Sequence, residues 1–315
     1  MTEAYRRIAQ PVPGRALQNA LNKGLRLPLR IVHPVVRAVK IAASPAQCRL
    51  RRQLAAGIRA ELAEGARIPL EQGHRFFGPD DLPGLREVVT RCSDLFEEPE
   101  TASRRTSFQR NPRKDFLLSI LAGADFARHP ELLRFMVSRP ILDPVTAYLG
   151  SVPLLAGANL WWSPVNQTVR SSQLFHVDRE DSRQSKVFIN ITETTGDSGP
   201  LTFLPPGVSD RVREVVGRGV RRLEDEQVFR AGGAGRALEL VGPPGRGVFL
   251  DTARCLHYGS RVARRDRLVL AIQFLRFDSP SEATLPFRFD PERAGFEPDP
   301  VQRLVLGIHP PGGNR

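Results

Sequence analysis

The sequence predicts an α+β fold in which helices come first and a closed or doubled β-sheet follows. Three observations carry that expectation. Gly 26 and Pro 27 in 315 residues fall between short apolar runs, a punctuation that suits turn-rich β structure better than a helix bundle. Apolar residues recur at helical spacing before residue 150, whereas from Leu154 onward short β-prone segments alternate with Gly, Pro, Asp and Asn. Hydrophobic residues at 41% and charged residues at 25% lie near globular averages, which argues against a disordered, collagen-like or coiled-coil chain.

Taken in order, residues 1–68 read as a basic helical extension. Residues 1–60 hold twelve Arg and Lys against the single acid Glu3, while the other 255 residues hold 34 basic and 33 acidic groups. The net charge of +12 therefore sits almost entirely in this arm. Its interspersed Leu25, Leu27, Leu29, Ile31, Val35, Val36, Val39 and Ile41 suit weak contact with an anionic membrane or polyphosphate, or packing on the body with the arginines in solvent. No dedicated nucleic-acid partner is expected. Leu50, Leu54, Ile58 and Leu62 predict a helix over 47–66 that Pro69 ends. Further helices are expected over 81–96, after the turn Gly78-Pro79-Asp80, and over 130–149, opened by Pro130 and Glu131. The polar stretch 97–114 between them reads as a loop.

Strands are expected over 154–161, 168–178, 186–192, 201–204, 246–251 and 267–277. A helical insert over 206–218 and a glycine-rich stretch to residue 245 interrupt them. The organisation is thus an extension over 1–68, one domain over 69–280 and a tail over 281–315, with helices buttressing the sheet. No apolar run reaches the ~20 residues of a membrane span, since Arg30, Pro34, Arg37 and Lys40 interrupt a leading candidate. Cys48, Cys92 and Cys255 are scattered without a C-x-x-C pair, which speaks against a disulfide framework or a thiolate zinc site. The cytoplasm is the expected location, with a peripheral place at the inner membrane surface left open by the arm.

Chemistry concentrates around two of the six histidines. In Ser172-Gln-Leu-Phe-His-Val-Asp178, period two puts His176 and Asp178 on one side of a strand and Phe175 and Val177 on the other. His257 follows 81 residues later, after the strand 246–251, and returns to the same place if the sheet closes into a barrel. Two neutral imidazoles and one carboxylate on one face of an octahedral ion leave three positions open, the arrangement of non-haem Fe(II) oxygenases. Arg267 opens the next strand, and its fork can hold the distal carboxylate of 2-oxoglutarate through two charge-assisted hydrogen bonds. Ser260 on the intervening turn can add another. Lys186, Phe188 and Asn190 share a strand face and can border the cosubstrate. A bare H-x-D is weak alone; its coincidence with a downstream His and Arg, each at a strand boundary, is far more specific.

Residues from about 70 to 280 resemble the phytanoyl-CoA dioxygenase family of Fe(II)/2-oxoglutarate oxygenases. Pro140-Ile-Leu-Asp-Pro-Val-Thr-Ala-Tyr-Leu-Gly150 resembles the helix ahead of that family's barrel, and Gln173-Leu-Phe-His-Val-Asp178 its metal strand. Gly196-Asp-Ser-Gly-Pro-Leu-Thr-Phe-Leu-Pro-Pro206 and Gly247-Val-Phe-Leu-Asp-Thr-Ala-Arg-Cys-Leu-His257 resemble the following turn and the strand bearing the distal histidine. The resemblance implies a double-stranded β-helix, the jelly-roll or cupin-like barrel. It implies His176, Asp178 and His257 as iron ligands and Arg267 as the 2-oxoglutarate clamp. Asp178 favours hydroxylation, since related halogenases carry a small residue there. Pro206-Gly-Val-Ser209 departs from the family's PGSH pattern, which puts substrate contacts from that turn in question.

The reaction so implied is hydroxylation of an unactivated C–H in a small molecule, with 2-oxoglutarate and O2 consumed. Arg179, Arg183, Arg254, Arg261, Arg264 and Arg265 flank the metal residues in sequence and favour an anionic substrate such as an acyl-CoA or phosphorylated sugar. Trp161 and Trp162 precede the metal strand and can line a pocket. The rival reading is a catalytically silent barrel serving as a binding module, its basic arm contacting membrane or nucleic acid. Other enzyme classes lack their motifs: there is no G-x-S-x-G elbow and no G-x-x-x-x-G-K-[ST] loop, and Gly233-Ala-Gly235 lacks the rest of a dinucleotide fingerprint.

Overall fold

The computed structural model of the chain describes residues 6–7, 14–24, 27–109, 116–121, 125–281 and 294–309. After β1 (Arg6–Arg7) come α1 (Gly14–Asn19), α2 (Leu29–Ala43) and α3 (Pro45–Glu61). Then follow β2 (His74–Phe77), α4 (Leu85–Glu97), α5 (Pro99–Gln109), β3 (Leu118–Ser119), α6 (Asp125–Arg128), α7 (Pro130–Met136) and α8 (Arg139–Leu149). The second half holds β4 (Pro153–Ser163), β5 (Ser185–Asn190), β6 (Thr202–Phe203), α9 (Pro206–Val216), α10 (Asp225–Val228) and β7 (Leu238–Glu239). It ends with β8 (Gly247–Leu250), β9 (His257–Tyr258), β10 (Arg267–Arg276), a helix over Pro300–Leu306 and β11 (Ile308–His309).

Six strands form an antiparallel sheet in the order β2-β8-β5-β10-β4-β3, and β7-β6-β9 form a second, smaller one. Isolated bridges from Phe175 to Leu223, His176 to His257 and Thr194 to Gly242 extend the smaller sheet. The two sheets face each other as a double-stranded β-helix, with Phe188, Leu201, Phe203, Leu240, Val248 and Leu250 packed between them. On the outer face of the large sheet, Val187, Ile189, Phe249, Leu268, Leu270 and Ile272 pack against the helices in the main core. Strands covered on both faces read as nearly continuous apolar runs, as β10 does.

The structure corrects several sequence expectations. Residues 168–178 are not one strand: a 3₁₀ turn over Ser171–Gln173 interrupts it, with Ser171 at φ 53°. The buried Gln173 side chain accepts from Thr168 Oγ1 (2.9 Å) and the Arg170 N–H (3.1 Å) and donates to the Ser260 carbonyl (2.7 Å). Such side-chain bonds compete with a regular ladder. The expected loop over 97–114 contains α5, opened by Pro99 and supported by an Arg104–Glu100 pair at 2.9 Å; residues 110–114 lie outside the described residues. The expected helix over 130–149 divides into α7 and α8, because Pro140 lies in the first turn of a new helix capped at Ser138. Within the expected tail, Pro300–Leu306 is helical and buries Val301, Leu304, Val305 and Leu306.

Helices α2 and α3 of the basic arm pack on the body. Arg51, fully buried on α3, donates to the carbonyls of Val152 (2.9 Å), Pro153 (3.1 Å) and Leu304 (2.9 Å), and Lys40 on α2 donates to Ser279 O (2.5 Å). Arg37 pairs with Asp181, which also takes Arg276 at 2.8 Å, while Arg52 reaches Asp278 at 3.0 Å. Among the described residues no helix is long and apolar enough to cross a membrane, and Cys48, Cys92 and Cys255 are free and buried.

Candidate metal centre

His176 and His257 meet as an antiparallel pair: each backbone N–H donates to the other's carbonyl, at 3.0 and 2.9 Å. Directly opposed residues in such a pair send their side chains to the same face. Asp178 lies two residues beyond His176 and is fixed by its N–H to the Thr252 carbonyl (2.9 Å). The alternation read from sequence holds through this segment. Phe175 and Val177 pack outward with Val212, Leu256 and Tyr258 beneath α9, leaving His176, Asp178 and His257 on the inner side. One donor atom from each of the three lies within 4.8 Å of the others, and the two imidazole centroids are 4.3 Å apart.

Both rings are held in the tautomer a metal requires. His176 Nδ1 lies 2.9 Å from the Leu174 carbonyl and His257 Nδ1 3.0 Å from that of Cys255. A carbonyl only accepts, so each Nδ1–H donates and each Nε2 keeps its lone pair for the shared space. Burial pushes the His176 imidazole down to about 3, with His257 adding to the shift, and burial likewise lowers His257. Both are therefore neutral at physiological pH. Burial alone would raise the Asp178 carboxyl, but the ammonium of Lys186, 2.7 Å from Oδ2, together with His257 and His176, holds the group below the ordinary carboxylate range. The carboxylate is thus ionised and positioned by Lys186 from β5.

Arg267 occupies the inner face at the start of β10, since Leu268, Leu270 and Ile272 face the helices. Its guanidinium is buried, and its Nε has no hydrogen-bond partner. Burial lowers it to about 10, and among the described residues no carboxylate pairs with it. Nη2 donates to Ser260 Oγ at 3.1 Å, which also accepts from Ser163 Oγ at 2.9 Å. With two donors directed at it, Ser260 keeps its own hydroxyl hydrogen for a further acceptor. A Cβ on Gly259 would approach Nη2 to 3.2 Å, so glycine leaves room for the fork. This unpaired donor set fits a buried carboxylate of a small ligand.

Phe188 shares the inner face of β5 with Lys186 and packs with Phe203 and Val248 between the sheets. Ser209, from the turn that departs from the PGSH pattern, is fully buried; it donates to Leu204 O and accepts from Leu256 N, both at 2.9 Å. It therefore ties α9 to the segment leading into His257. Of the tryptophans, Trp162 joins the core and donates to Asp266 at 3.0 Å. The flanking arginines divide. Arg179, Arg183 and Arg254 line a cavity that Asp178 also lines, whereas Arg261, Arg264 and Arg265 pair with Asp225, Asp197 and Glu193. The same cavity takes Arg213 and Arg221, and Arg37 from α2, none of which sequence proximity to the histidines signals.

No protein-family model matches the chain, and no curated protein matches it. Among solved structures, the chain is similar to EctD from S. alaskensis with bound Fe, at 14% identity and TM-score 0.49 over 71% of this chain and 79% of that one. It is similar to the non-heme alpha ketoglutarate dependent carbocyclase SnoK from nogalamycin biosynthesis, at 16% identity and TM-score 0.47 over 69% and 85%. It is also similar to the non-heme monooxygenase ThoJ in its Ni complex, at 17% identity and TM-score 0.39 over 66% and 75%. Likeness this distant assigns neither reaction nor substrate.

Proposed function

We propose that the chain is an Fe(II)/2-oxoglutarate-dependent oxygenase of the phytanoyl-CoA dioxygenase kind, hydroxylating a C–H bond of a small anionic molecule. The convergence of His176, Asp178 and His257 carries the reading, because two neutral imidazoles and a carboxylate from one side are the donor set of non-haem iron oxygenases. Bound iron supplies the redox chemistry by which 2-oxoglutarate, O2 and R–H become succinate, CO2 and R–OH, one oxygen atom passing to succinate and one to product.

The residues around that chemistry position and shield. The carbonyls of Leu174 and Cys255 fix the two rings, and Lys186 orients the Asp178 carboxylate. Arg267 and Ser260 hold the distal carboxylate of 2-oxoglutarate, filling the vacant hydrogen-bonding capacity of a buried cation. Phe188, Phe203 and Val248 keep the space between the sheets dry. Asp178 supplies the third donor, which favours hydroxylation over halide transfer.

Anaerobic titration of metal-free protein with Fe(II) and 2-oxoglutarate tests the reading. A weak visible absorption that saturates at one equivalent and vanishes in His176→Ala is expected, with O2-dependent succinate release following it. Absence of that band in well-folded protein would sink the proposal and favour a binding module.

A further inference from the structure

A cavity of about 910 Å³ opens beside Asp178, walled on one side by His33, Pro34 and Arg37 of α2 and on another by Asp210 and Arg213 of α9. Eight guanidinium groups line it against three carboxylates, Asp178, Asp181 and Asp210. Each of those acids is already engaged: Asp178 by Lys186, Asp181 by Arg37 and Arg276, and Asp210 by Arg218 at 3.4 Å. Among the described residues, Arg179, Arg213 and Arg221 have no carboxylate within ion-pair distance, and their charges repel one another in the same cavity. Arg179 and Arg213 are half-buried, so solvent screens them incompletely.

We infer that this cavity is the substrate site and that Arg179, Arg213 and Arg221 form a subsite for the phosphoryl or diphosphoryl group of the substrate. The inference rests on the oxygenase reading and names the substrate class within it. A monocarboxylate neutralises one of the three cations, whereas a phosphoryl group brings close to two charges and a diphosphoryl group more, with oxygens that match the guanidinium fork. The concave shape, closed on one side by α2, favours a small organic phosphate over a lipid surface. Burial and the neighbouring Arg218 lower the Arg213 guanidinium against the pull of Asp210, in keeping with an excess of positive charge there. The basic arm thereby acquires a role at the site itself, as a wall of the substrate cavity.

Isothermal titration of the metal-free full chain with inorganic pyrophosphate at physiological salt tests the subsite. One saturable site is expected, weakened about tenfold or more in Arg179→Gln and in Arg213→Gln and unchanged in Arg86→Gln, whose residue pairs with Asp80 outside the cavity. Coincident thermal unfolding midpoints verify that the variants fold. No saturable binding, or equal weakening in all three variants, would overturn the subsite. So would retention on phosphatidic-acid vesicles that pyrophosphate does not displace. An Fe(II)–2-oxoglutarate band without pyrophosphate binding sinks the subsite alone, and pyrophosphate binding without the band sinks the oxygenase reading.

Discussion

Arg267 is a buried cation that donates to the Ser260 hydroxyl and has no ion-paired carboxylate among the described residues, and its energetic position follows from that. Leucine at 267 removes the fork, so the 2-oxoglutarate concentration needed to half-saturate the Fe(II) complex is expected to rise roughly 10- to 100-fold. An unchanged half-saturation would move the cosubstrate elsewhere. Asp251 is buried too, and burial pushes its carboxyl up to about 6 although Tyr148 Oη donates to it at 2.6 Å. The folded protein holds this proton between about pH 4 and pH 6, where the unfolded chain has lost it. Stability therefore falls by about 3 kcal/mol across that window and is level above it. Urea unfolding of Asp251→Asn against wild type is expected to show this falling component removed; parallel curves would contradict the assignment. At this scale the sequence was informative where spacing encodes direction. His176 and Asp178 share a face because the extended segment that carries them alternates as a strand would, and Arg267 opens a strand that could be delimited by its apolar run. Arg213 and Arg221 were illegible, since only the folded placement of α9 and the loop after it carries them to the cavity.

The element that most changes meaning is α2. Asp181 has a fully buried side chain and takes both Arg37 from α2 and Arg276 from β10, with side chains 21% and 16% exposed. Alanine at 181 leaves two partly buried guanidinium groups facing each other. The expected cost is about 3–5 kcal/mol, read as a lower urea midpoint together with faster proteolysis within α2. An unchanged midpoint would mean that α2 is held by apolar packing alone. Helices with clear apolar periodicity, such as α3 and α4, were legible. The polar α5 was not, because its apolar pattern is faint and its support comes from Arg104 bridging to Glu100 and to Asp125 of α6. Residues 168–178 misled for the opposite reason: the composition is strand-like, but Gln173 spends its amide on local and cross-loop bonds.

For the molecule as a whole, part of the uneven charge seen in sequence has a structural use. Arg37, Lys40, Arg51 and Arg52 of the arm turn toward the body and satisfy carbonyls and carboxylates there, so these four of the arm's twelve cations are structural. A separate group of cations from the body, Arg179, Arg213 and Arg221, lines the cavity beside Asp178 with no ion-paired carboxylate among the described residues. The pairing of His176 with His257 adds a mechanical consequence. Residues 81 positions apart face one another through only two backbone hydrogen bonds, so a divalent ion gripped by both rings and Asp178 would rivet a long loop shut. An ion that favours the native chain at a hundred times its dissociation constant adds about 2.7 kcal/mol. Scanning calorimetry is therefore expected to show a melting point that climbs with added Co(II) and drops back with a chelator, a heat-borne signature absent when alanine replaces His257.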